Sequence, residues 1–439
     1  MKKALIITYY WPPSGGAGVQ RWLKFVKYLR DFGWEPVVYC PENPEYPETD
    51  QSLFRDVPAN LEVIRRPIWE PYNAYKAFLG QKKEDKIQAG FLSVKKKNPY
   101  AENISVWIRG NLFIPDARKF WIRPSIKFLT KYLAGHPVDA IVSTGPPHST
   151  HLIALGVKKR LDIPWLADFR DPWTGIDFYH QLRLTRLADR KHHRLERAVL
   201  SAADRIAVVS WNWAEDMNKL YPRRYDVITN GFDPADIVTG KQDVTGSFEL
   251  THIGSLNKDR NPEFLWEVLA EMCREDKSFR NDLRLRFIGK CDISLFRSLE
   301  TNGLLPVTES IDYMPHEKVL SESASSQVLL LLLNNTPNVA GIVPGKIFEY
   351  LATRRPVLCI GTTGGDSARI LRETKAGVTC AFGDRAALKK ELYGLYAKYR
   401  QGMLQDQAGD IGAFSRKRLT GKIAGLLDEM TAAKSEKSS

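Results

Sequence analysis

Apolar residues along this chain follow two rhythms that take turns. Residues 4–10 are almost continuously apolar and predict a strand, followed by the loop Trp11-Pro12-Pro13-Ser14-Gly15-Gly16-Ala17-Gly18. Trp22, Phe25, Val26 and Leu29 then recur at i, i+3, i+4 and i+7, the apolar stripe of a helix over about 19–30. Gly33 ends that helix, and residues 35–40 predict a second strand. The layout returns half a chain later. Residues 248–253 predict a strand, the segment from Gly254 through Pro262 a loop, and Leu265, Val268, Leu269 and Met272 the stripe of a helix over 263–272, before a strand at 283–288. Residues 138–143, 163–167, 205–209 and 328–333 predict further strands. Strands alternating with helices imply an α/β protein built on parallel, doubly wound sheets.

A strand–loop–helix unit aims backbone N–H groups and the positive end of the helix dipole at one place, which suits phosphate. Two such units predict a cleft gripping a phosphorylated ligand from both sides. A third motif, from Pro344 to Leu351, starts a helix at Gly345 with Ile347, Phe348 and Leu351 on its buried face. Lys346 and Glu349, at i and i+3, share the other side. They form either an ordinary helical ion pair or a ligand site, in which Glu349 accepts from a ribose diol while Lys346 and the Gly345 amide hold phosphates. Gly254 and Ser255 let backbone approach a ligand closely. Arg260 opens the helix that follows, where a cation is unfavourable unless an anion joins it; the plainer reading is a solvated arginine. Ligands of open α/β sheets bind at the carboxyl ends of strands. Two polar clusters are expected there, one running from Ser143 to His148 and one from Asp168 through Arg170 and Asp171 to Trp173. Taken singly, these would read as a structural histidine and a salt-bridged loop.

The 439 residues allow two or three domains, and 26% charged with 43% hydrophobic residues is a globular composition. A net charge of +13 implies an anionic partner (nucleic acid, a membrane surface or a phosphorylated substrate) or simply a basic soluble enzyme. The five cysteines include no CxxC pair, so neither a disulfide framework nor a zinc knuckle is expected. The first apolar run stops at Pro12-Pro13, too short for a signal peptide, and none is long enough to span a membrane. A cytoplasmic protein, soluble or peripheral on the inner face of the membrane, is expected. Between 41 and 135 the alternation breaks. Residues 76–131 hold thirteen Lys or Arg against four Asp or Glu, with Trp107, Phe113, Phe120 and Trp121 among Arg109, Arg118, Lys119 and Arg123. Cations interleaved with aromatics suit an anionic membrane or a lipid-diphosphate acceptor, single-stranded nucleic acid, or a solvated face over packed rings. Arg118, Lys119, Trp121 and Arg170 are the candidate acceptor or membrane residues. Residues 234–247 predict a hinge, and the tail from 434 is expected to be disordered.

Taken together, the Gly15-to-Gly18 loop, Ala203 to Ser210, Thr229 to Asp233, Gly254-Ser255-Leu256 and the helix from Lys346 to Leu351 occur in the order seen in retaining glycosyltransferases of family 4, which this chain resembles over nearly its whole length. The resemblance implies the GT-B fold, two Rossmann-like domains facing across a cleft. These would be an acceptor-binding domain over 1–235 with the basic insertion at about 70–131, a nucleotide-sugar-binding domain over 248–405, and a helix over 411–430 crossing back to the first. It implies that Gly15 and Gly16 approach the donor's phosphate or sugar, that His148 is the active-site histidine near the transferred sugar, that Arg260 offsets diphosphate charge, and that Glu349 is the second Glu of an E-x7-E motif, binding ribose. The first Glu is replaced by Gly341, leaving Asn338 or local backbone to hold sugar hydroxyls, and Ser255 stands where an Arg is usual, which shifts weight to Arg260 and Lys346. Asp168 or Asp171 would orient the acceptor hydroxyl, with Arg170 pairing with either. The implied partners are a nucleotide-sugar and a glycan or lipid-linked acceptor, with an anionic membrane surface as a further partner. No metal, cofactor or nucleic acid is expected, since cations and helix N-termini would stabilise the leaving diphosphate. Two other classes remain open: a nucleotide-sugar epimerase of GT-B fold, and a basic nucleic-acid-binding protein. A nicotinamide dehydrogenase fits less well, because G-x-G-x-x-G is missing after the first strand.

Overall fold

The computed structural model describes residues 1–46, 48–70, 99–237, 246–312, 314, 316–404 and 408–438. The chain divides into two compact units, Met1–Thr229 with Arg416–Ser439, and Asn230–Ser415.

The first unit is a seven-stranded parallel sheet of β1 (Lys2–Ile7), β2 (Trp34–Pro41), β3 (Glu62–Arg66), β4 (Ala140–Gly145), β5 (Trp165–Phe169), β6 (Arg205–Val208) and β7 (Asp226–Val227), in the order β3-β2-β1-β4-β5-β6-β7. Ile6 of β1 stands opposite Val38 of β2 on one side and Val142 of β4 on the other. The strands are apolar throughout because both faces are covered. Ala4 and Ile6 enter one core, while Leu5 and Ile7 enter the other, the period of two that a pleated strand imposes. Over the first face lie α1 (Ala17–Leu29) and the chain's last helix, Arg416–Ser438, which contributes Leu419, Ile423, Leu427 and Met430. Further helices of this unit include α2 (Pro99–Leu112), α3 (Lys119–Gly135), α4 (Ser149–Leu161) and α5 (Arg186–Ala202). Of these, α3, α4 and α5 send Trp121, Leu129, Ile153, Val157 and Val199 into the second core.

The second unit is a six-stranded parallel sheet of β8 (Phe248–Ile253), β9 (Leu283–Ile288), β10 (Thr308–Ile311), β11 (Val328–Leu332), β12 (Val357–Ile360) and β13 (Gly377–Cys380), in the order β10-β9-β8-β11-β12-β13. Helices α6 (Glu263–Glu275), α7 (Lys346–Thr353) and α8 (Arg385–Arg400) are among those that pack on it. Leu265, Trp266 and Leu269 of α6 share one core with Leu250, Leu285, Leu330 and Leu358.

In each sheet the order in which strands are added reverses next to the first strand, between β1 and β4 in one unit and between β8 and β11 in the other. At such a switch point the loops leave the strand ends in opposite directions and open a crevice. The loops after β1, β4, β8 and β11 therefore define the two candidate edges.

Three expectations change. The stretch 41–135 contains β3 and two helices; β3 escaped notice because charged, part-exposed residues make up an edge strand. Most of the expected basic insertion, 71–98, lies outside the described residues, but α3 is scaffold, with Trp121 and Leu129 in the core. The tail expected to be disordered continues the last helix to Ser438, and Lys434 bonds the Asp162 carbonyl. Of the expected hinge, 238–245 lies outside the described residues. All five cysteines are free.

Candidate functional site

At the edge of the first unit, Gly16 sits exposed just ahead of α1 with φ +78°, a conformation that favours glycine. The Gly15 N–H donates to the Glu48 carbonyl at 2.9 Å and the Asp50 N–H to the Pro13 carbonyl at 2.8 Å, so the loop lies along residues 48–50. No side chain caps α1 and its first turn holds no acid, which leaves the positive end of the helix to an anion.

The turn Gly145-Pro146-Pro147 leads from β4 to His148, which stands at the start of α4 without a side-chain bond to the helix. The imidazole is buried and lies flat on the Trp173 indole, with centroids 4.6 Å apart and planes at 3°. Burial, with His151, His192 and Arg170 nearby, holds its pKa well below the usual histidine value, so the ring is neutral. The second cluster follows β5. Arg170 donates to the carbonyls of Gly18, Gly145 and Pro146 and lies over the Tyr10 ring, tying this loop to those after β1 and β4. Asp171 accepts no hydrogen bond and joins no ion pair among the described residues. Burial pushes its carboxyl up to about 6, although Arg170 opposes the shift.

At the edge of the second unit, Gly254 follows β8 with φ +102°. A Cβ there would stand 3.0 Å from the Lys346 ammonium, which donates to the Ile253 carbonyl at 2.6 Å. Gly289, after β9, has φ +120°, and a Cβ on it would stand 3.1 Å from the Gly254 backbone. Arg260 is held by the Asn334 side-chain oxygen at 3.0 Å and the Ser255 carbonyl at 3.1 Å. Among the described residues no carboxylate forms an ion pair with Arg260 or Lys346. Burial, and then the Arg260 charge, bring the Lys346 pKa down to about 7. Gly345 is exposed with open space before it, and α7 starts without a side-chain cap. Two basic side chains with no ion-pair partner among the described residues, an uncapped helix start and a glycine turn thus converge, an arrangement that favours a multiply charged anion. Glu349 lies in the first turn of α7, half-buried. The loop ahead of α7 carries Asn338, whose side-chain oxygen accepts from Thr336 at 3.0 Å, and buried Gly341.

Several candidates take other places. Asp168 is fully buried and fully occupied. Arg21 bonds both of its oxygens, with the shortest contact 2.7 Å, and the Trp22 indole N–H and the Thr144 hydroxyl donate at 2.7 and 2.8 Å. Arg21 also donates to the carbonyls of Ile228 and Thr229 at 2.8 Å. Asp168 is thus the anchor joining α1, β4 and β5, and no oxygen is left for an acceptor hydroxyl. Arg170 bonds backbone carbonyls in place of either aspartate. Arg118 pairs with the buried Glu70 at 3.0 Å and stacks over Tyr9, and Trp121 stacks on Tyr39 at 5.6 Å inside the core, so neither faces a membrane. Lys119 does reach the surface aromatics, over Phe113 and Phe120. Reading the sequence missed Arg21, Gly289 and Asn334, and it placed Trp173 in the second polar cluster without giving it a role. Gly289 alone carried a signal, since it follows its strand as Gly254 does. No group of three or more His, Cys, Asp or Glu among the described residues could hold a metal ion.

Two Rossmann-like domains, each with an anion-receptive glycine loop at its switch point, are the GT-B architecture of glycosyltransferases. The profile of Glycosyltransferase Family 4 matches residues 15–236, half of the chain, and this protein belongs to that family. Comparison with curated proteins finds no match. Among solved structures, sucrose-phosphate synthase from Thermosynechococcus elongatus superposes with a TM-score of 0.62 at 13% identity, covering 99% of this chain and 100% of that one. WaaG, a glycosyltransferase involved in lipopolysaccharide biosynthesis, gives 0.55 at 14% identity over 97% and 99%. Anabaena HepE, in complex with UDP-glucose, gives 0.57 at 11% over the whole of both chains. At these identities the likeness is one of fold.

Proposed function

We propose that this glycosyltransferase moves a sugar from a nucleoside-diphosphate sugar to a glycan or lipid-linked acceptor in surface-polysaccharide biosynthesis. It does so with retention of anomeric configuration and without a metal or cofactor. The observation that carries the reading is the pair Arg260 and Lys346, two half-buried cations with no carboxylate ion-paired to them among the described residues, beside Gly254 and the open start of α7. A diphosphate supplies the missing negative charge, and the same donors stabilise the charge that grows on it as the sugar–oxygen bond breaks. Glu349 accepts from the ribose diol, the Gly345 and Ser255 amides assist at the phosphates, and Gly15 and Gly16 approach the sugar or phosphate. His148, neutral, faces the transferred sugar, and Asp171, whose carboxylate has no ion-pair partner among the described residues, orients the acceptor hydroxyl. In a same-face displacement the acceptor oxygen bonds to the anomeric carbon, the bond to the diphosphate breaks, and the acceptor proton passes to the leaving phosphate oxygen.

The bound UDP-glucose of HepE and the lipopolysaccharide role of WaaG support these donor and acceptor classes. The exposed aromatics around Lys119 support work at an anionic membrane on the cytoplasmic side. Thermal-shift measurement against a panel of nucleoside diphosphates and their sugars tests the reading. At least one nucleotide is expected to raise Tm by binding the folded state, an effect reduced in Arg260→Ala and Lys346→Met. Product NMR should show the donor's anomeric configuration, with turnover unchanged by EDTA. A full panel without any shift would overturn the reading.

A further inference from the structure

A histidine that acts on substrate is ordinarily aimed by a hydrogen bond to its other ring nitrogen. His148 lacks this. Its Nδ1 is buried without a hydrogen-bond partner, and no bond to either ring nitrogen occurs among the described residues. What touches the ring flat-on is Trp173. That indole is itself buried, and its N–H donates to His192 Nδ1 at 3.0 Å. His192 lies buried on α5, with Tyr179 edge-on to its ring at 5.8 Å. One turn further along the same helix, the Glu196 carboxylate accepts from the Thr174 hydroxyl at 2.5 Å and from the Thr174 N–H at 3.4 Å. Two side chains four positions apart on one helix face thus grip consecutive residues of the loop that carries the stacking indole.

We propose that Trp173 and His192 are positioning residues that set the orientation of the His148 imidazole through stacking in place of a hydrogen bond. An indole rotated about its own bond would carry the stacked ring with it, and the N–H···Nδ1 bond removes that freedom. The same bond fixes His192 as the tautomer protonated at Nε2, because Nδ1 must accept. The functional part of the inference rests on the proposed role of His148 beside the transferred sugar.

The test uses the full chain, with two readouts. In protein labelled at histidine, the His148 ring signals carry the ring-current shift of a flat indole neighbour. His192→Leu should move those signals and His192→Asn, whose side-chain oxygen can accept the indole N–H, should restore them, while the other histidines outside this cluster stay in place. In transfer assays with the donor found by thermal shift, His192→Leu should lower kcat roughly 10- to 100-fold, as small misplacements of catalytic groups do, with KM for the donor unchanged. His192→Asn should recover most of the loss. In a His148→Ala background, His192→Leu should cost nothing further. Trp173→Phe, which keeps a flat ring but no N–H, should behave as His192→Leu does, and it serves if the latter fails to fold. Unmoved His148 signals in His192→Leu and Trp173→Phe would overturn the inference, as would equal losses in His192→Leu and His192→Asn. Signals that move and recover while no donor supports transfer would uphold the positioning and sink the glycosyl-transfer role of His148 instead.

Discussion

Asp168 and Asp171 stand three positions apart and meet opposite surroundings. Burial alone would raise the Asp168 pKa, but the Arg21 charge and the bonds from Arg21, Trp22 and Thr144 bring it below the ordinary value. Its stabilising contribution is present above the unfolded carboxylate's pKa and lost as pH falls through the lower folded value. Removing its charge strands Arg21, so Asp168→Asn is expected to cost about 3–5 kcal/mol of stability, read by urea denaturation. A loss within half a kcal/mol would refute the anchor role. Among the described residues Asp171 has no such partners, and burial raises its folded pKa to about 6. If its carboxylate orients the acceptor, kcat climbs as pH rises through about 6, and Asp171→Asn removes that limb while leaving the denaturation midpoint nearly unchanged. Lys346 provides a third case. Its pKa near 7 lies below the ordinary lysine value, so the ammonium is lost as pH rises from 7 toward 9. A diphosphate favours the charged form, so binding above pH 7 takes up a proton. Calorimetry of nucleoside-diphosphate binding in two buffers of different ionisation enthalpy should detect that uptake, with affinity falling up to about tenfold per pH unit. Lys346→Met should bind more weakly at pH 6 and show a flat pH dependence. A wild-type profile that is flat from pH 6 to 9 would count against the assigned pKa.

At the scale of elements, the last helix illustrates how a chain closes a core from far along its length. It enters the first unit through Leu419, Ile423, Leu427 and Met430, packed with Trp22, Val26 and Leu29 of α1. Truncating Leu427, which is wholly buried, to Ala should cost about 2–5 kcal/mol, measurable as a lower denaturation midpoint. A surface-like loss below half a kcal/mol would mean the helix merely rests on the unit. This scale is also where the sequence was most readable. Strands such as β1 and β8 declared themselves because both of their faces are covered, which forces runs of apolar residues. The glycine turn ahead of each first helix was equally plain. Edge strand β3 was hidden, since Glu62, Arg65 and Arg66 break any apolar run. The candidate site was legible in its backbone parts, Gly16, Gly254 and Gly345, whose conformation or open surroundings are local properties. It was illegible wherever a side chain's use depends on a partner distant in sequence. Asp168 looked available until Arg21 arrived from α1. Arg118 looked like a surface cation until Glu70 neutralised it, and nothing in the residues around Trp173 announces His192.

For the molecule as a whole, charge and exposed apolar surface point the same way. The net charge is +13, and among the described residues no helix is long and apolar enough to cross a membrane. Trp69 is 60% exposed, Trp107 42% and Phe120 41%; Trp69 and Phe120 meet edge to face at 4.7 Å. Exposed Leu112 and Ile104 extend the apolar surface, while Arg109, Arg123, Lys127 and Lys131 are the exposed cations of the same two helices. Lys119 lies over the Phe113 and Phe120 rings with its charge partly desolvated. Ion pairs would be expected to neutralise cations on an ordinary solvated face, yet residues 99–131 supply only Glu102 and Asp116 against five Lys or Arg besides Arg118, which Glu70 already neutralises. Asp116 is already engaged, accepting from the Ser149 N–H and hydroxyl at the start of α4. Rings that insert shallowly and cations that meet headgroups match a bilayer carrying anionic lipid, where each basic residue near the surface contributes roughly 1 kcal/mol. The protein should therefore co-sediment with phosphatidylglycerol vesicles and not with phosphatidylcholine vesicles, and salt should release it as the charges are screened. Trp69→Ala with Phe120→Ala should weaken binding at every salt concentration, whereas Arg123→Gln with Lys127→Gln should flatten the salt dependence. Equal, weak sedimentation with both vesicle types would assign the cations to an ordinary solvated face and leave the aromatics without a membrane role.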